Sequence, residues 1–489
     1  MKENTFYFIT GSQHLYGPET LKLVDEDSRK IVQYIDGRPE NPCRVLFKGV
    51  ATTAEEILEL LKGANNDSTC AGVILWMHTF SPAKMWIEGL ANLKKPVLHL
   101  HTQANLEIPF ASIDMDFMNL NQSAHGDREF GHIMSKMRIN RKVVAGYYQD
   151  EKVLEEIFTW MRAAAAFKFS RELKVIRIGD NMRDVAVTEG DKVSAQIKLG
   201  WSVNGYGIGD LVDYVDKVSD GEIEDLLARY RKEYEIITAD LESVREQARY
   251  EIAIERMLED KKAKALTTTF EDLHGLKQLP GLSIQRLMEK GYGFGAEGDW
   301  KTAALTAVIK YMGKGLEGGA TFMEDYTYHL PEGDQFILGA HMLEICPSIA
   351  EEKPKIDVQP LGIGGKNPPA RLIFKAKPSK AVVATLIDLG DRFRLIVNKI
   401  NIIKGREMPK LPVAQVLWKP EPSLSVSATA WIYAGGAHHT VLSTQINEKH
   451  LRDFASIADI EYVEINEKTE LDEFVEKLMV SDAVWRLKG

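Results

Sequence analysis

The stretch Phe6-Tyr7-Phe8-Ile9 is short, wholly apolar and rich in β-forming residues, and it reads as a strand. Three runs of the same kind follow at 45–48, 72–76 and 96–100. Helix signals stand between them. Thr53-Ala54-Glu55-Glu56 has the Thr-x-x-Glu form of a capping box and opens a helix reaching Leu61, and Pro82 stands immediately before a second helical run, 83–93. Short strands alternating with helices form βαβ units around a mostly parallel sheet, so the first third predicts a doubly wound domain.

The same alternation restarts near Leu173. A helical stretch at 152–167 leads to a strand at 174–178 and the loop Gly179-Asp180-Asn181-Met182; charged helices follow over 223–262, then a strand at 265–270. From about Gly319 the texture changes to strands separated by turn residues, at 336–345, 370–375, 381–389, 393–403 and 426–434. This is the pattern of a barrel or sandwich. The expected fold class is therefore α/β: two Rossmann-like doubly wound α/β domains, 1–170 and 171–318, then a β-rich, barrel-like C-terminal domain, 319–489.

A chain of 489 residues exceeds one ordinary core, and 44% hydrophobic with 27% charged residues is a normal globular composition. The net charge of -10 is spread without a Lys/Arg block, which argues against nucleic acid or anionic membrane as partners. No run approaches the roughly 18 apolar residues of a membrane span. Met1-Lys2-Glu3-Asn4-Thr5 runs straight into the first strand with no signal-type apolar region, so a cytoplasmic location is expected. Three scattered cysteines, Cys43, Cys70 and Cys346, read as reduced core thiols.

The segment Gly293-Phe294-Gly295-Ala296-Glu297-Gly298 matches the dinucleotide fingerprint G-x-G-x-x-G and precedes a helix capped by Asp299. Two features argue against that use. Residues 284–290 ahead of it look helical rather than extended, and a carboxylate inside the loop would repel a diphosphate. The loop makes better sense as a presenter of Glu297, the bland alternative being a solvated turn residue. Glu324 follows the apolar run Ala320-Thr321-Phe322-Met323 at an expected strand end, where an unpaired buried acid would be costly. Period-two alternation puts His341 on the face of Ile337, Leu343 and Ile345, pointing inward. His438 and His439 would face opposite ways in an extended chain, and His439, sharing its face with Val441, is the better inward candidate. Two carboxylates and two imidazoles would suit a divalent ion such as manganese. Their sequence separations are not those of a local metal motif, so spacing alone leaves their convergence open.

At these residues, and at Gly11-Ser12-Gln13-His14-Leu15-Tyr16-Gly17, Asn121-Gln122-Ser123-Ala124-His125-Gly126, Phe322-Met323-Glu324-Asp325-Tyr326, Gly339-Ala340-His341 and Gly435-Gly436-Ala437-His438-His439-Thr440, the chain resembles the L-arabinose isomerases, over essentially its whole length. The resemblance implies a metal site of Glu297, Glu324, His341 and His439 holding Mn2+, with other divalent ions such as Co2+ as substitutes. It implies a sugar pocket lined by Gln13, Leu15, Tyr16, Phe80, His125, Met182, Phe270 and Leu361. It also implies an aldose-ketose isomerase of arabinose catabolism, acting on L-arabinose and on D-galactose, assembled as a homohexamer with shared active sites. Glu297 and Glu324 would then be the acid/base pair working through an enediol. A metal-assisted hydride shift and a non-catalytic sugar-binding protein are the competing readings.

Overall fold

The computed structural model describes residues 1–488. The chain forms two compact units, one of Met1–Lys168 with Arg452–Ile457, the other of Phe169–Leu451 with the residues from Ala458 on.

In the first unit β1 (Thr5–Gly11), β2 (Arg44–Ala51), β3 (Cys70–Met77), β4 (Val97–His101) and β5 (Lys142–Ala145) form a parallel sheet in the order β2-β1-β3-β4-β5. Its helices are α1 (Gly17–Asp36), α2 (Ala54–Asn66), α3 (Ile87–Asn92), α4 (Met115–Leu120) and α5 (Ser123–Lys136), and α6 (Glu151–Ser170) follows. Every residue of β1 and of β3 is buried. Strands covered on both faces lose any polar alternation, which is why these runs read as continuous apolar tetrads.

The cap of α2 differs in detail from the expected box. Thr53 accepts from the Glu56 amide, but the Glu56 carboxylate accepts from the amide and hydroxyl of Thr52 at 2.8 and 2.7 Å. The helix expected over 83–93 starts as one tight 3-10 turn, Ala83–Trp86, before α3. A segment from late in the chain completes this unit. Phe454 sets its ring 6.2 Å from that of Phe167, Lys142 Nζ lies 3.3 Å from Asp453 Oδ1, and Asn140 donates to the Ser456 carbonyl.

The second unit opens with β6 (Lys174–Ile178) and β7 (Ser202–Tyr206), continues through the short β8 (Glu235–Ile236), and adds β9 (Ala265–Thr268) and β10 (Gly293–Gly295). Four of these form a parallel sheet, β10-β9-β6-β7. Its helices are α7 (Lys192–Leu199), α8 (Ile208–Val215), α9 (Asp220–Glu233), α10 (Leu241–Asp260), α11 (Leu282–Glu289) and α12 (Trp300–Met312). Next come β11 (Ala320–His329), β12 (Phe336–Ala340), β13 (Lys355–Val358), β14 (Ala370–Ile373), β15 (Ser379–Asp388), β16 (Phe393–Ile403), β17 (Val416–Pro420), α13 (Leu424–Tyr433), β18 (His439–Ser443) and β19 (Glu461–Ile465). Six strands, β15-β18-β11-β12-β17-β16, form an antiparallel barrel closed by pairing of β15 with β16; β19 adds to β16 in parallel, and β14-β13-β8 make a small separate sheet.

α12 links the parallel sheet of this unit to the barrel, touching β9 and β10 on one side and β11, β15 and β18 on the other. All its residues but Lys310 and Tyr311 are buried, as expected of a helix enclosed on all sides. The fingerprint glycines serve that packing. A Cβ on Gly293 would lie 2.1 Å from the Ala303 carbonyl, and one on Gly295 2.4 Å from that of Asp299. They let β10 lie against α12 rather than offer bare amides to a diphosphate.

Three expectations are corrected here. Residues 426–434 form most of α13, not a strand: Ser423 accepts from the Val426 amide, and Leu424, Ser427 and Ala430 recur at helical spacing on the buried side. The alternation of Val426-Ser427-Ala428-Thr429-Ala430, followed by the exposed β-formers Ile432 and Tyr433, gives the run the look of a strand. The strand expected over 336–345 stops at Ala340. Glu324 is not at a strand end: β11 continues to His329, with a register shift between Asp325 and Thr327, and its residues turn from buried to partly exposed at Glu324.

Candidate metal and sugar site

Glu297 follows β10 in a tight turn, with φ of 60°, a left-handed conformation that a side-chain-bearing residue adopts only under constraint from its surroundings. The turn is fixed by its neighbours, since the Glu297 carbonyl accepts from the Met182 amide and the Gly298 amide donates to Thr268. The other groups come from the barrel. Glu324 on β11 is directly opposite His439 on β18 and, on its other side, Ala340 on β12, the residue before His341. Adjacent strands therefore bring Glu324, His341 and His439 to one place, which sequence separation could not reveal.

Each imidazole faces a glutamate. His341 Nε2 is 3.9 Å from Glu324 Oε2, and His439 Nε2 is 3.6 Å from Glu297 Oε2. The two ring centroids stand 6.2 Å apart, and both rings meet Phe322 edge-on at 4.9 and 5.1 Å. Each imidazole is also held from behind by a carboxylate: Nδ1 of His341 lies 2.5 Å from Glu344 Oε2, and Nδ1 of His439 lies 3.2 Å from Asp299 Oδ2. A carboxylate on one ring nitrogen orients the other toward a metal and sets its tautomer. His439 is fully buried, yet its Nε2 has no hydrogen-bond partner among the described residues. An orphaned imidazole nitrogen aimed at a carboxylate fits a cation between them.

The electrostatics run the same way. Burial works to raise the Glu297 carboxyl, but the His438 imidazole and the charges of His439 and His341 outweigh it, holding the acid below its ordinary value. Asp299, fully buried, is likewise opposed by desolvation and still held far down by Lys301 and His439. Asp325, whose Oδ1 has no partner among the described residues, is pushed up to about 7 by burial and by the Glu324 charge.

His438 differs from its expected place. It precedes β18, so strict alternation does not apply, and its Nε2 also lies 3.6 Å from Glu297 Oε2. One ligand atom each from Glu297, His438 and His439 falls within 4.8 Å of the others. His438 is 39% exposed against 0% for His439. Sequence reasoning missed Asp299 and Glu344 as braces. Asp299 was legible only as a helix cap, which it also is, accepting from the Thr302 amide at 3.1 Å. Glu344 lay inside the run misread as strand.

A cavity of about 260 Å³ opens beside these groups, lined by Glu297, Glu324 and His341 together with Phe270, Tyr326 and Ile363. Of the expected pocket residues in this unit, Phe270 lines it; Met182 follows β6 and is tied to Glu297 through the backbone, and Leu361, between β13 and β14, packs half-buried against the core. The remaining five lie in the first unit, around the carboxyl ends of β1 and β3, where the strand order reverses and doubly wound sheets bind ligands. Gln13, Leu15 and Tyr16 follow β1, Phe80 follows β3, and His125 is in the first turn of α5. Ser12 and Thr79 hydroxyls join the two loops at 2.7 Å, Gln122 donates to the Tyr16 hydroxyl at 3.1 Å, and the rings of Phe80 and His125 stack at 5.4 Å. Leu15 is 81% exposed.

Three family models match the chain in sequence: the L-arabinose isomerase N-terminal domain over residues 1–172, the central domain over 174–315 and the C-terminal domain over 319–461. An L-arabinose isomerase of Geobacillus stearothermophilus is 58% identical over 488 residues, spanning 98% of each chain. One from Thermotoga petrophila is 55% identical over 491 residues, spanning 100% of this chain and 99% of its own. With three family models over most of its length and relatives this similar over nearly all of it, the chain belongs to the L-arabinose isomerase family.

Proposed function

We propose that this chain interconverts L-arabinose and L-ribulose, and D-galactose and D-tagatose as secondary substrates, using a divalent cation held by Glu297, Glu324, His341 and His439. The observation that carries the reading is the orphaned, carboxylate-braced Nε2 of His439 facing Glu297, with His341 facing Glu324 in the same way. Mn2+ is the ion proposed, with Co2+ as a substitute, since two oxygen and two imidazole ligands suit either. When bound, the ion would polarise the sugar's oxygens and make negative charge on them less costly.

Moving the carbonyl from C1 to C2 requires taking a proton from C2 and delivering one to C1, while a second proton passes from the C2 hydroxyl to O1. Glu297 and Glu324 both line the cavity, and one would take the C2 proton as the other supplies one to C1, through an enediol. The cavity is smaller than the roughly 300–1,000 Å³ of drug-sized sites, as suits a single sugar. The loops bearing Gln13, Tyr16, Phe80 and His125 would bind sugar hydroxyls in a homohexamer with shared active sites, in the cytoplasm.

The deciding assay incubates metal-stripped protein with L-arabinose, with and without added manganese. Ketose should form only with the metal. No ketose from the loaded protein, or equal formation without metal, would overturn the reading. Run in deuterium oxide, the reaction should place solvent deuterium on C1 of the ketose; full retention of the C2 hydrogen would favour a hydride shift.

A further inference from the structure

Lys301 stands where a lysine is disfavoured twice. It is 1% exposed, and it is the second residue of α12, where the helix's own field is positive. Its surroundings answer with oxygen. The ammonium donates to the carbonyls of Val187 at 3.0 Å, Thr188 at 3.0 Å and Glu189 at 2.5 Å, and Asp299 Oδ1 lies 3.6 Å away. An ammonium has three hydrogens, and here three consecutive carbonyls receive them.

Those carbonyls belong to one loop, the connection from β6 to α7. It has no sheet partner, contains only a single 3-10 turn, Ala186–Thr188, and carries Asp184 in a left-handed conformation with φ of 64°. At its near end it is tied to the Glu297 turn: the Met182 amide donates to the Glu297 carbonyl at 2.9 Å, and Asn181 Nδ2 donates to Gly298 at 3.2 Å and to Thr188 at 2.6 Å. Arg183 and Asp184 between the ties are exposed, although Arg183 is tied to Glu271 through its amide and to Glu271 and Asp272 through its guanidinium. The far end is held by Lys301.

We infer that Lys301 is a positioning residue for the sugar site: its ammonium staples the 187–189 backbone to the first turn of α12 and so fixes where Met182 stands against Glu297. The inference rests on the isomerase reading only for the role given to Met182; the staple concerns the loop itself.

Lys301→Met keeps the aliphatic stem and removes the ammonium. Amide hydrogen exchange over residues 183–190 should quicken at least tenfold with the barrel strands unchanged. The KM for L-arabinose should rise at least fivefold with kcat within threefold, and the Mn2+ dissociation constant, read by chelator competition, should stay within threefold. Asn181→Ala combined with Lys301→Met should add little to either single change, because both release the same loop. A lowered Tm with KM and loop exchange unchanged would overturn the inference and leave Lys301 a core residue only. Loss of Mn2+ affinity beyond tenfold with loop exchange unchanged would overturn it too, and would route Lys301 through Asp299 and His439. Should Lys301→Met not fold, Lys301→Gln, with two donor hydrogens, carries the same test with smaller expected shifts. If the wild type shows no isomerase activity, the isomerase reading falls, and the exchange result alone supports or overturns the staple.

Discussion

Glu297 combines a left-handed backbone with a half-buried acid held below its ordinary value by the imidazoles around it. Glu297→Gln and Glu324→Gln should each leave the protein folded and lower kcat by roughly 10²–10⁴-fold; either variant turning over near the wild-type rate removes that residue from the chemistry. His439→Ala should cost much more activity than His438→Ala, because only His439 is buried and braced at Nδ1. Metal linkage separates the two as well. Manganese at a hundred times its dissociation constant should stabilise the wild type by about 2.7 kcal/mol, read as a higher Tm, with no such rise in His439→Ala. Asp299→Ala should weaken manganese binding roughly 10–100-fold, measured by titration against a chelator. His439 was legible in the sequence because alternation put it on the face of Val441, and Glu324 because it follows an apolar run, whereas His341 was reached through a strand that stops one residue before it. Asp299 and Glu344 were not, since a carboxylate bracing an imidazole carries no sequence mark apart from its fold.

α12 and β10 show how one element serves both stability and the site. Gly295→Ala would drive a Cβ to 2.4 Å from the Asp299 carbonyl and 2.7 Å from the Ala303 amide, both backbone atoms that cannot step aside. A loss of about 1–3 kcal/mol is expected from such overpacking. Because Asp299 would be displaced with it, manganese affinity should fall in the same variant; thermal melts with and without the metal check both effects. Strands buried on both faces, such as β3, were readable from composition alone. α13 was not, because Val426-Ser427-Ala428-Thr429-Ala430 alternates apolar and polar residues as a half-buried strand does. Ser423, which caps it, was the overlooked clue.

At the scale of the whole molecule, the proposed ligands Glu297, Glu324, His341 and His439 all belong to one compact unit and Gln13, Tyr16 and His125 to the other. With the proposed shared sites, His125→Ala and Glu324→Ala would complement each other. Each alone should be nearly inactive, and refolding the two together should return a sizeable fraction of wild-type rate. No recovery in verified mixed oligomers would place each complete site within one chain. The cysteines offer a check on the fold: Cys43, Cys70 and Cys346 are all fully buried, and burial pushes the Cys43 thiol up to about 12. None should react with a thiol reagent at pH 8 until denaturant is added. The parallel sheets and the β-rich last third followed from the alternation of runs, whereas closure of the barrel did not, because the pairing of β15 with β16 that completes the ring leaves no separate trace in residue order.

The segment Arg452–Ile457 belongs to the first unit although it is made only after the whole of Phe169–Leu451, which belongs to the other. Domains generally fold in order as they leave the ribosome, at about 5–20 residues per second. Here the N-terminal sheet can form early, but Phe167 and Lys142 wait for Phe454 and Asp453 until Phe169–Leu451 has been synthesised. During that interval the Phe167 ring and the Lys142 ammonium are without these partners, and a stop codon anywhere before residue 452 would leave them without for good.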